Sequence, residues 1–197
     1  MSKNQKMEEK ELIKRLLRKE RAAQKYLFEK YSALFYGICL RYSYSNDEAD
    51  DIMQEGFLKI MYNVKKYSGK GSFEGWMKRI IINNAINYYH KNYKYRHHFD
   101  VDEIRETKTE DNLLQESDFT YKELLTVIKE LPPGYKQIFN LYAIEGFKHK
   151  EIAEMLKISE NTSKSQYHRA KKILQDKLEK ILEQRKKALK NAQNSNN

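Results

Sequence analysis

Residues 147–173 restrict the fold more than any other part of the chain. Phe147-Lys148-His149-Lys150-Glu151-Ile152-Ala153-Glu154-Met155-Leu156 has the apolar spacing of a short amphipathic helix. Lys157-Ile158-Ser159 follows, and Glu160 through Ile173 is a second helical run. Helix, tight turn and helix in this order form a helix-turn-helix pattern. Ala153 is small enough for the two helices to cross closely, and Ser159 is placed to accept the free N–H groups of the second helix. Thr162, Lys164, Ser165, His168 and Arg169 occupy the early turns of that helix, the part of a recognition helix that meets base edges. Duplex DNA is therefore the first ligand to consider.

Charge supports a polyanionic partner. The 197 residues carry a formal net charge of +10, and 34% of them are charged. Charge alone does not separate DNA from RNA or an anionic membrane. Cys39 is the single cysteine, so no intramolecular disulfide forms, which fits a reducing compartment. The charged N-terminus lacks the apolar core of a signal peptide, and no apolar run approaches membrane-spanning length. Few glycines, two adjacent prolines (Pro132 and Pro133) and long 3.6-period segments predict an all-α protein.

The periodicity predicts two small helical domains. Leu12, Ile13, Leu16 and Leu17 form one stripe, and Tyr26, Leu27, Tyr31, Leu34, Phe35, Ile38 and Cys39 a second. Ser45 with Glu48 reads as a capping box. The helix after it buries Ile52, Met53, Phe57, Ile60, Met61 and Val64 and stops near Lys66, before Ser68, Gly69 and Gly71. Another helix runs from about Ser72 to Tyr89. Between residues 100 and 120 eight acids stand against Arg105 and Lys108, an acidic linker inside a basic protein. Beyond it, a helix containing Leu124, Leu125 and Ile128 stops at Leu131 because Pro132 disfavours helix before it. Gly134 and Tyr135 open the next helix. The predicted boundaries are an N-terminal extension at 1–18, a first domain at 19–97, the linker at 98–120, a second domain at 121–182 and a basic, disordered tail at 183–197.

Three constellations carry chemistry. Asp47, Glu48, Asp50, Asp51 and Glu55 load one helix start with acid, and Asp51, Gln54 and Glu55 project together. This is either a solvated helix start or a docking face for a basic protein surface. In residues 67–89, Lys70, Lys78 and Arg79 supply charge; Tyr67, Trp76, Tyr88 and Tyr89 supply aromatic faces; Asn83, Asn84 and Asn87 supply amides. That chemistry grips unpaired bases, whereas the spacing of Phe73 with Met77, Ile80 and Ile81 reads as core. Third, Lys164, Ser165, His168 and Arg169 recur at helical spacing on one side of the second helix. His97-His98 lacks a ligating pattern, so neither metal nor cofactor is expected.

These residues resemble the group IV, or extracytoplasmic-function, sigma factors of bacterial RNA polymerase. The resemblance rests first on Ala49-Asp50-Asp51-Ile52-Met53-Gln54-Glu55-Gly56-Phe57-Leu58-Lys59, then on Phe73, Trp76-Met77-Lys78-Arg79-Ile80 and Asn83. In the second domain it rests on Leu131-Pro132, Tyr135-Lys136, Glu145-Gly146-Phe147, Glu151-Ile152-Ala153, Thr162, Lys164-Ser165 and Arg169-Ala170. It implies a non-enzymatic, cytoplasmic promoter-specificity subunit. Asp50, Asp51, Gln54 and Glu55 would dock on the clamp helices of polymerase β′, with the β flap as a further contact. Tyr67, Ser68, Gly69, Lys70, Gly71 and Ser72 would form the loop that captures a flipped −10 base, with Lys78, Arg79, Asn83 and Asn87 along that strand. Thr162, Lys164, Ser165, His168, Arg169 and Lys172 would read the −35 element. An anti-sigma factor is the implied regulator.

The chain departs from the family's pattern in places. Ser163 stands where an apolar Val is usual, which predicts looser packing of the recognition helix. Lys157 replaces a common turn glycine, Gly56 a usual Thr, and His168 is unusual at a base-facing position. Two other readings remain open at this level. A stand-alone repressor or activator would bind a palindrome as a dimer, and a metal-dependent nuclease would use the acidic helix.

Overall fold

A computed structural model describes residues 8–92 and 119–194, and every regular element among them is helical. The chain divides into two units, Met1–His98 and Phe99–Asn197. The expected linker lies outside the described residues except for Phe119 and Thr120, as do His97 and His98.

The first unit contains α1 (Glu9–Leu17), α2 (Arg21–Tyr42), α3 (Asn46–Asn63), a 3₁₀ turn (Val64–Lys66) and α4 (Phe73–Asn92). Its core is built from Leu27, Phe35 and Ile38 of α2, Ile52 and Ile60 of α3, and Met77 and Ile81 of α4. The helical part of the expected N-terminal extension belongs to this core: Leu12 and Leu16 are buried and α1 packs on α2. Their apolar stripe has the same spacing as the core stripes of the other helices, so burying it removes apolar area from water. The Ser45 hydroxyl accepts the Glu48 N–H at 3.1 Å, as expected. The reciprocal half of the capping box is displaced by one residue, because the Glu48 carboxylate accepts the N–H of Tyr44 at 2.8 Å.

The second unit contains α5 (Tyr121–Lys129), α6 (Pro133–Phe139), a π-helical segment (Asn140–Ile144), α7 (His149–Leu156) and α8 (Glu160–Asn194). Thr120 and Glu123 form a complete capping box at the start of α5. Val127, Leu131, Ala170 and Leu174 form one core cluster, with Ile128, Tyr135, Phe139, Ile173, Leu178 and Ile181 packed around it, and Ile138, Leu141, Ile152 and Leu156 are buried as well. The helix containing Leu141 and Tyr142 widens at its end, where the N–H of Glu145 reaches the Asn140 carbonyl at 2.9 Å.

The expected disordered tail at 183–197 is helical as far as Asn194, in one continuous helix that begins at Glu160. Two causes act together. This stretch is rich in Ala, Leu, Lys, Arg and Gln and free of Gly and Pro. It is also anchored to α5: Lys177 pairs with Glu130 at 2.5 Å, Arg185 pairs with Glu123, and the Arg185 guanidinium lies over the Phe119 ring. No helix among the described residues is long and apolar enough to cross a membrane.

Candidate functional site

The acidic residues of α3 point in two directions. Successive residues on a helix are about 100° apart, so Asp50 and Asp51 diverge. Asp50 and Asp47 act on the α2 side, where their charges add to partial burial in raising the Tyr36 phenol above its ordinary value. Glu48 and Asp51 act on the α4 side, where they do the same, after burial, to Tyr88. Asp50, Asp51, Gln54 and Glu55 are all exposed. Glu55 is paired with Lys59 at 2.8 Å, so part of its charge is already met within the helix. Asp51 and Glu55 line a groove shared with Asn87, Tyr88, Lys91 and Asn92 of α4. Asn87 therefore lies beside the acidic face. The sequence analysis did not place Tyr88 and Lys91 on this face; for Lys91, its spacing of four residues from Asn87 was the available signal.

The loop before α4 is shaped by its own residues. Gly69 and Gly71 have φ of 73° and 82°, a left-handed backbone that other residues adopt only at a cost. The Tyr67 hydroxyl donates to the Gly71 carbonyl at 2.7 Å, and its half-buried ring packs on Phe73 and Trp76 at 5.1 and 5.5 Å. Ser68 accepts the N–H of Lys70, and Ser72 caps α4 by accepting the N–H of Gly75 at 3.2 Å. Phe73 is fully buried, as its spacing predicted.

From this loop, Trp76, Arg79, Asn83 and Asn87 follow one another at helical spacing along α4. The last three are exposed, and Trp76 is partly so. Lys78 falls off this line by about 180° relative to Asn87 and is paired with Glu74 at 2.8 Å. Asn84 is not available as a surface amide. It is buried, donating to the Ile52 carbonyl at 2.8 Å and accepting from Lys59 at 2.5 Å, so it joins α4 to α3.

The helix-turn-helix is formed by α7 and α8. Glu151 accepts the N–H of Lys148 at 2.9 Å at the start of α7. Lys157 ends that helix with φ 56°, taking the left-handed position a glycine usually fills. Ser159 caps α8, accepting the Thr162 N–H at 2.9 Å, and its hydroxyl bonds that of Thr162 at 2.8 Å. Thr162, Ser165, His168, Arg169 and Lys172 lie on one face, with Lys164 at its margin, paired with Glu160 at 2.7 Å. The Ser165 hydroxyl donates back to the Thr162 carbonyl at 3.1 Å. The opposite face holds buried Ser163, Ala170 and Leu174 and half-buried Tyr167.

Ser163 does not leave the joint loose. It is 0% exposed, and its hydroxyl lies 2.9 Å from Nδ1 of His149, the first residue of α7. The His149 ring stacks on Tyr142 with centroids 4.1 Å apart. Burial first, then the Lys164 charge, pulls the imidazole below its ordinary pKa, while Glu160 opposes the shift. The sequence contained no local signal for this contact, since its partners are 14 residues apart.

Residues 27–95 match the family described as sigma-70 region 2, and residues 121–174 match sigma-70 region 4. The chain is 30% identical over 148 residues to the RNA polymerase sigma factor SigV of Bacillus subtilis, covering 74% of this chain and 85% of that protein. It is 24% identical over 182 residues to the ECF RNA polymerase sigma-E factor of Haemophilus influenzae, covering 87% and 95%. Its fold is similar to that of the sigma factor RpoE of Bartonella quintana, solved in complex with the anti-sigma factor NepR. There the TM-score is 0.52, at 18% identity over 79% of this chain and 96% of that one. With region 2 in its first unit, region 4 in its second and sigma factors among its relatives, the chain belongs to the extracytoplasmic-function group of the sigma-70 family, the promoter-directed initiation factors of bacterial transcription.

Proposed function

We propose that the protein binds core RNA polymerase through the α3 face of Asp50, Asp51, Gln54 and Glu55, reads the −35 element with α8 and captures unpaired −10 bases with the 67–72 loop and α4. The clamp helices of β′ are the docking partner, because an exposed acidic helix in a protein of net charge +10 fits a basic protein surface better than DNA. The β flap is a further polymerase contact. An anti-sigma factor is the natural competitor for these faces, by analogy with the Bartonella protein solved in such a complex.

The observation that carries this reading is the division of α8 into two sides. Its back side packs into the domain core, while Ser165, His168, Arg169 and Lys172 form a continuous polar line at the start of the same helix. A helix held this way presents side chains at the spacing of base edges in a major groove. In the first unit, aromatic Trp76 beside the loop, followed by Arg79 and Asn83, offers a stacking edge, a charge and an amide in sequence.

The test is run-off transcription with core polymerase on promoters altered separately at −35 and −10. Arg169→Ala is expected to weaken use of the preferred −35 sequence by about 1–3 kcal/mol and to relax discrimination there. Asn83→Ala is expected to impair open-complex formation more than closed-complex binding. Promoter-independent loss in both variants would overturn the assignment of these two faces.

A further inference from the structure

Behind the base-reading side of α8, a polar link between α7 and α8 sits among aromatic rings. His149 Nδ1 and the Ser163 hydroxyl are 2.9 Å apart, and Ser163 is completely buried. Around them, Tyr142 stacks on His149 at 4.1 Å and meets Tyr167 at 4.5 Å, while Tyr167 stacks on Phe139 at 6.2 Å. Ser163 and Tyr167 are one turn apart on the back of α8. Lys164, Ser165 and His168 are interleaved with them on the front. Any rotation of α8 that moves the front residues must therefore break or stretch the contacts behind.

We infer that His149 is a positioning residue for −35 recognition, fixing the rotation of α8 through its bond to Ser163 and its stack on Tyr142. The physical reason is the asymmetry of buried polar groups. An apolar joint tolerates small rotations, because dispersion contacts are non-directional. A buried hydroxyl with a single ring nitrogen in reach has one satisfied geometry and is costly when left unpaired. Stacking on Tyr142 fixes the plane of the imidazole, and the Ser163 bond then fixes the helix. Sequence discrimination by a recognition helix depends on placing side chains to a fraction of an ångström. Phosphate contacts tolerate more, so loss of this link should reduce discrimination before it reduces overall DNA affinity.

The inference rests on the −35 reading above, and the experiment separates the two. Full-length protein is assembled with core polymerase, and binding is measured on a promoter with the preferred −35 sequence and on one with a single −35 substitution. The ratio of the two affinities is the readout, with the thermal midpoint of each variant measured alongside. His149→Phe keeps a stacking ring and removes the bond, and the ratio is expected to fall by about tenfold, the size of one base-pair preference. His149→Asn keeps an amide near the position of Nδ1 and is expected to retain more of the ratio than His149→Phe. His149→Phe combined with Ser163→Val leaves no buried hydroxyl unpaired, so it is expected to recover the thermal midpoint while the ratio stays low. If His149→Phe folds poorly, Ser163→Ala tests the same bond from the other side.

A ratio unchanged in both His149→Phe and Ser163→Ala would overturn the positioning role, whatever happens to the thermal midpoint. So would a double variant whose ratio returned to that of the wild type. A wild-type complex indifferent to −35 sequence would instead overturn the parent reading and this inference with it.

Discussion

Gly56 of α3 lies directly against Ile81 of α4: a β-carbon at residue 56 would stand 2.5 Å from Ile81 Cδ1. Ile81 is fully buried, so its methyl has little room to retreat. This contact accounts for glycine at position 56. Gly56→Ala is expected to cost about 1–3 kcal/mol through overpacking, and Gly56→Thr more. Ile81→Val removes the clashing methyl and should recover part of the loss when combined with Gly56→Ala. Urea denaturation of the three variants checks this; additive losses in the double variant would refute the contact as the cause.

Charge reversal on α3 should separate docking from stability. Asp51 and Glu55 are exposed, and the Glu55–Lys59 pair is a surface pair of the kind worth about 0.3–0.5 kcal/mol. Asp51→Lys with Glu55→Lys is therefore expected to leave the thermal midpoint within a few degrees of wild type, about the shift 1 kcal/mol produces, while abolishing capture of core polymerase. Intact capture at physiological ionic strength would remove the docking role from this face.

Lys157 takes a left-handed backbone at φ 56° at the end of α7. For a residue with a β-carbon this costs about 1–2 kcal/mol, part of which glycine gives back through its freer unfolded state. Lys157→Gly is expected to stabilise the protein by about 0.5–1 kcal/mol. −35 discrimination should stay unchanged, since residue 157 is exposed and outside the α8 face. A lower denaturation midpoint would contradict the strain argument.

Glu123 supplies a pH dependence of defined sign. Its hydrogen bond from the Thr120 backbone, then those from Arg185 and the Thr120 hydroxyl, hold its carboxyl down from 4.5 to about 2. A carboxylate depressed in the folded state stabilises above its unfolded pKa, and that contribution is lost as pH falls through the folded value. Glu123→Gln is therefore expected to lower the denaturation midpoint at pH 6. The gap to wild type should close as pH falls from about 4.5 to about 2. A gap that stays constant over this window would show that the Arg185 and Thr120 contacts act independently of the carboxylate charge.

Local interactions made much of this protein legible. Apolar spacing marked the helices, Ser45 and Ser159 cap where their hydroxyls predict, and α5 ends before Pro132, at Lys129 rather than at the expected Leu131. Gly69 and Gly71 mark the loop because only their backbone takes that conformation freely. The family's two regions were recognisable for the same reason, since their motifs are short and ordered along the chain. The polar line on α8 was legible because helical periodicity alone decides which residues share a face.

What depended on distant partners was not legible. Asn84 looked like a surface amide beside Asn83, yet it is buried because Ile52 and Lys59 meet it across the α3–α4 contact. Ser163 looked like a packing defect until His149 closed against it. Residues 183–194 looked like a loose basic tail, yet Arg185 is anchored to Glu123, 62 residues earlier. Periodicity and capping act over three or four residues, and the chain states them outright. Which polar group finds a partner after the helices pack is decided only in three dimensions, where burial makes each unpaired donor or acceptor costly.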